Sequence, residues 1–101
     1  MRSPIRRFVV EDRSMEPTLV PGQGLIGVTV GRARPGQLRV LEHPHRPGFW
    51  LVKRVVGLEP DGTMRVGSDN EAVAAVDSRV FGPVTVRGSY RVVVRVPRRL
   101  M

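Results

Sequence analysis

Phe49-Trp50-Leu51-Val52-Lys53-Arg54-Val55-Val56-Gly57-Leu58, then Glu59-Pro60-Asp61-Gly62 and Thr63-Met64-Arg65-Val66, is the stretch that decides how this chain folds. The first segment is the longest run rich in branched and aromatic residues, a composition that suits a pleated, half-buried strand. Proline, aspartate and glycine in succession then force a tight reversal, so residues 63–66 read as the returning strand of a hairpin. Alternation along the first strand places Leu51, Lys53 and Val55 on one face and Val52, Arg54 and Val56 on the other.

Working outward, residues 5–10, 25–30 and 38–42 read as further short strands. Arg34-Pro35-Gly36 is a turn signal, and His43-Pro44-His45-Arg46-Pro47-Gly48 is a loop that no strand interior would hold. Residues 79–86 and 89–96 read as a closing strand pair around Arg87-Gly88. Residues 67–77 lack a period, and the basic tail 97–101 is expected to fray. No segment carries apolar residues at helical spacing over three turns, and there is no internal repeat or linker. The expected fold is mostly β: a single antiparallel domain over residues 1–101, coiled into a barrel-like or double-sheet shape.

Composition narrows the function. The chain has 101 residues, 11 of them glycine and 9 proline, and no cysteine, which removes disulfides, zinc-thiolate sites and thiol catalysis. No window reaches the roughly 18 apolar residues of a membrane helix. Residues 1–7 are basic but lead into no apolar core, so neither a signal peptide nor an anchor is expected, and the default location is the cytoplasm. The formal net charge is +8. It is spread along the chain, and the few aromatics are not interleaved with the arginines as a base-stacking platform requires, so nucleic acid is not the expected partner. A basic β module that binds nucleic acid without catalysis is kept as the alternative.

Lys53 is the only lysine among 17 basic residues, the others being arginine. Arginine does not lose its proton in a protein, whereas a desolvated lysine does. A lone lysine in an apolar run is therefore a candidate for neutral-amine chemistry. Ser14, in Ser14-Met15-Glu16-Pro17-Thr18, follows the first strand and is held near prolines, which exposes a hydroxyl with little freedom. Serine needs a base to become a nucleophile. His43 and His45, flanking a proline in a polar loop, are weaker partners than Lys53, and a metal held by the two histidines is weighed below a solvated loop.

Ser14-Met15-Glu16-Pro17-Thr18-Leu19 resembles the nucleophile box of type I signal peptidases. Leu51-Val52-Lys53-Arg54-Val55-Val56-Gly57 is similar to that family's lysine box. Gly67-Ser68-Asp69-Asn70 and Asp77-Ser78-Arg79-Val80-Phe81-Gly82-Pro83-Val84 resemble its final box. The resemblance implies a serine endopeptidase with Ser14 as nucleophile and Lys53 as general base, cleaving a leader peptide from a precursor protein. It further implies that Ser78 orients the lysine amine, that the Ser14 backbone N–H helps hold the oxyanion, and that Met15 lines a substrate pocket. No cofactor and no metal are implied. Within the family the chain looks closest to the short soluble members associated with maturation of nickel-type superoxide dismutase. One departure stands out: Asp12 occupies the position of the family's second oxyanion donor, which leaves a catalytically impaired relative as a further alternative. A self-cleaving repressor-type peptidase shares the dyad but pairs it with a DNA-binding domain, for which 101 residues leave no room.

Overall fold

The computed structural model describes residues 3–72 and 82–101. Among the described residues, seven strands form one antiparallel sheet: β1 (Ile5–Val9), β2 (Gly24–Val28), β3 (Leu38–Glu42), β4 (Trp50–Leu58), β5 (Thr63–Gly67), β6 (Val84–Thr85) and β7 (Tyr90–Val96). Their order across the sheet is β1-β2-β7-β3-β4-β5-β6.

The hairpin read from residues 49–66 is present. β4 pairs with β5, Val55 lying opposite Val66 and Leu58 opposite Met64. Gly62 sits at φ +86°, the left-handed region the turn requires. Asp61 Oδ1 accepts from both the Thr63 N–H at 3.0 Å and the Thr63 hydroxyl at 2.6 Å. The hydroxyl bond first, then the N–H bond, hold the Asp61 carboxyl below the usual carboxylate range. The turn at Arg34-Pro35-Gly36 also forms, with Gly36 at φ +93°.

The sheet is not closed into a barrel: among the described residues β1 and β6 lie at its two edges. A second correction concerns the last strands. The expected pairing of 79–86 with 89–96 does not form. β6 is short and pairs with β5, while β7 crosses away to lie between β2 and β3. The tight turn after β6, in which the Ser89 N–H and hydroxyl both donate to the Val86 carbonyl at 3.0 and 2.6 Å, redirects the chain instead of closing a hairpin. The part of that expectation on residues 79–81 lies outside the described residues. The tail, expected to fray, makes a single 3₁₀ turn at Arg98–Leu100, and Arg98 Nη1 donates to the Pro21 carbonyl at 3.3 Å.

Both faces of the sheet are covered, which explains why β3 buries consecutive residues. Leu38 and Val40 join Val10, Met15, Leu19, Leu25 and Tyr90 in one cluster. Leu41 joins Ala33, Val55, Met64, Val66 and Val84 in the other. Phe8 and Trp50 pack against the first cluster, and their rings and that of Tyr90 meet at centroid distances of 5.3 to 6.0 Å. Buried Arg39 is satisfied by Ser89 Oγ at 2.8 Å and Gln37 Oε1 at 3.2 Å.

Candidate active site

The chain leaves β1 at Val9 and must reach β2 at Gly24. Val10 N–H donates to the Gln23 carbonyl at 2.9 Å and Gly22 N–H to the Val10 carbonyl at 2.7 Å, which pins the two ends of the connection together. Between them, Met15 and Leu19 are fully buried in the first cluster. Ser14 is thus carried on a loop whose next residue is anchored in the core. Met15, expected to line a substrate pocket, has a side chain that is 0% exposed and sits in this cluster.

β4 supplies Lys53. The strand's burial alternates as the sequence predicts, with Leu51, Lys53 and Val55 buried, and Lys53 is 3% exposed. Its Nζ donates to Ser68 Oγ at 2.9 Å. Opposite it on β3 stands Arg39. Arg54, the next residue, faces the other way as expected. Its Nε and Nη2 reach the Asp69 carboxylate at 3.1 and 2.5 Å, and its Nη1 donates to the Gly36 carbonyl at 2.8 Å.

The segment after β5 joins these pieces. Ser68 holds Lys53 and Asp69 holds Arg54, while the Thr18 hydroxyl also donates to Asp69 at 2.5 Å. Asn70 clamps the serine loop: its N–H donates to the Ser14 carbonyl at 2.9 Å and its Nδ2 to the Arg13 carbonyl at 2.9 Å. Lys53 and the Ser14 backbone are therefore tied to residues only two positions apart. Sequence reading placed Gly67-Ser68-Asp69-Asn70 in the family's final box and gave Ser68 no role. Nothing local distinguishes Ser68, because its hydroxyl meets Lys53 only once β4 and β5 pair. Ser78, expected to orient Lys53, lies outside the described residues, as do Asp77 and Arg79.

The Ser14 hydroxyl donates to Asp12 Oδ1 at 2.8 Å rather than to Lys53. The Ser14 N–H donates to the same oxygen at 3.1 Å. Asp12, the departure from the family pattern, therefore faces the candidate nucleophile. A groove of about 420 Å³ lies beside it, running between Phe8–Asp12 and Gly48–Val52 over Leu25 and Val40.

Among the described residues no three His, Asp or Glu side chains gather as a metal cluster. His43 Nδ1 accepts the His45 N–H at 3.0 Å. Desolvation first, then Arg46 and His45, push the His43 imidazole below its ordinary value.

Asp69 shows where the site is sensitive to acid. Its bond from Arg54 first, with Thr18 and the Arg54 charge adding, holds its carboxyl below the usual range against the opposing effect of burial. A depressed folded-state value means the carboxylate contributes stability above the unfolded value, about pH 4, that is lost as pH falls through the folded value. Asp69→Asn is expected to lower stability to chemical denaturation at pH 7, and the gap from the parent protein is expected to narrow steadily below about pH 4. A gap that stays constant down to pH 2 would show that the Arg54–Asp69 pair carries no such linkage.

The chain is mostly β, and one short segment, Ser68–Asn70, ties a buried lysine and a serine loop to the same stretch of backbone. Residues 2–74 match the family model described as signal peptidase, peptidase S26, and the chain belongs to that family. The match spans Ser14, Lys53 and Ser68–Asn70 and ends before Asp77–Val84. No curated protein matches the chain. No helix among the described residues is long and apolar enough to cross a membrane.

Proposed function

We propose that the chain is a serine endopeptidase that removes an N-terminal leader from a precursor protein, with Ser14 as nucleophile and Lys53 as general base. The observation that carries this reading is the buried Lys53 amine, bonded to Ser68 within the same short segment whose Asn70 clamps the Ser14 loop. In the reaction, the Ser14 oxygen attacks the scissile carbonyl while its proton passes to Lys53. The developing oxyanion takes the Ser14 N–H, and Lys53 then delivers the proton to the leaving amine. Water repeats the sequence to release the acyl group. The substrate fits as an extended segment along the open edge of β1, its side chains entering the groove beside Asp12. The first substrate to try is the precursor of a nickel-type superoxide dismutase.

The test is to incubate the protein with that precursor and follow its mass. A single N-terminal cleavage that disappears in Ser14→Ala, with the variant still folded by circular dichroism, is the expected result. Cleavage that persists in Ser14→Ala refutes the reading. An impaired relative is the second reading, and the observation favouring it is the pair of hydrogen bonds that the Ser14 N–H and hydroxyl donate to Asp12.

A further inference from the structure

One carboxylate oxygen of Asp12 holds both groups that the proposed chemistry needs from Ser14. It takes the hydroxyl proton, at 2.8 Å, that has to pass to Lys53. It also takes the backbone N–H, at 3.1 Å, that has to meet the oxyanion. A side-chain oxygen acceptor in the oxyanion's place would compete for the donor that the charge forming there needs. As it stands the arrangement stores the nucleophile rather than using it. Three features make the contact reversible. Asp12 is exposed while Ser14 is partly buried, so the carboxylate can swing into water without breaking the core. Met15 and Asn70 fix the Ser14 backbone independently of Asp12. Asp12 also lines the groove, where an incoming peptide backbone competes for the same space.

We propose that Asp12 is a latch on the nucleophile, closed in the free protein and displaced by bound substrate. The proposal rests on the Ser14–Lys53 reading above and adds a residue that governs access to it. Because the latch draws only on the free state, it taxes binding: the apparent affinity is reduced by the fraction of molecules that are open. Removing it is expected to lower KM while leaving kcat little changed, since saturating substrate already opens it. A charge-assisted hydrogen bond at an exposed position supports an effect of about tenfold.

The experiment compares the parent protein with Asp12→Ala and Asp12→Asn; the asparagine keeps an acceptor for the Ser14 N–H and so preserves the turn. Two readouts are taken: KM and kcat on a peptide spanning the cleavage site of the superoxide dismutase precursor, and the rate at which a small fluorophosphonate labels Ser14, read by intact mass. A KM about tenfold lower at similar kcat in Asp12→Ala, a smaller drop in Asp12→Asn, and faster labelling in both support the latch. Unchanged KM and labelling rates overturn it. A collapse of kcat in both folded variants also overturns it, because Asp12 would then be the base. Ser14→Ala and Lys53→Met controls separate the two levels. If cleavage survives them, the dyad has failed; if they abolish cleavage and the Asp12 variants behave as the parent, only the latch has failed.

Discussion

Lys53→Met is expected to abolish cleavage, by at least about 10²- to 10⁴-fold, the range a positioned general base contributes, without lowering the melting temperature. The two halves of this result have separate causes. Methionine matches the lysine stem in length and apolarity but has no amine to accept the Ser14 proton. At 3% exposure the lysine head is held in the interior at a desolvation cost, and an apolar replacement of similar volume at such a site is commonly neutral or stabilising. A purely structural role for the Ser68 bond predicts the reverse, a loss of stability. Lys53→Arg sharpens the comparison: it restores a cation that cannot give up its proton. Cleavage in Lys53→Arg near the parent rate would refute neutral-amine catalysis even if Lys53→Met were dead. Thermal melts and cleavage rates on the three proteins decide the matter.

Met15→Ala is expected to be the most destabilising single change near the site, by about 2–5 kcal/mol. Its side chain is fully buried in the cluster of Val10, Leu19, Leu25, Leu38, Val40 and Tyr90, so truncation leaves a cavity where the serine loop meets the core. In a domain of this size that corresponds to a fall in melting temperature of more than about 10 °C. Activity is expected to fall with it, since nothing else on the loop between Ser14 and Leu19 reaches so far into the cluster. Met15→Leu, which conserves volume, is expected to restore stability to within about 1.5 kcal/mol and to leave the choice of substrate unaltered. If Met15→Leu changes which residues are accepted at the cut while stability stays unchanged, the residue is acting on substrate and the packing assignment is wrong.

These two residues also mark the boundary of what the chain discloses in one dimension. That Lys53 shares a face with Leu51 and Val55, with Arg54 turned the other way, followed from alternation along an apolar strand, because side-chain direction in β structure has a period of two whatever the strand pairs with. The hairpin through Asp61 and Gly62 and the turn at Gly36 were legible for a similar reason: proline and glycine restrict or release local backbone angles, and that effect needs no partner. Met15 was ambiguous because a methionine beside a nucleophile has the same composition whether it faces a groove or a core.

Strand partners, by contrast, are chosen by the whole sheet. β7 reads locally as a hairpin mate for residues just before it, yet it fills the gap between β2 and β3. There Tyr90 joins the first cluster and Arg91 lies opposite Arg39. Among the described residues of the mate it leaves, Val84–Thr85 pairs on the edge of β5.

The sequence by itself determined the mostly β class, the positions of the sharp turns, which lysine is unusual and which face of its strand it occupies. All of these depend on backbone angles and side-chain alternation within a few residues. Only the tertiary structure decided that Ser68 receives the Lys53 amine, that Asn70 grips the Ser14 loop, that Asp12 holds the Ser14 hydroxyl, and that the sheet stays open. Hydrogen-bond partners and strand neighbours are set by which distant segments can share a buried surface, and that competition is settled over the whole chain at once.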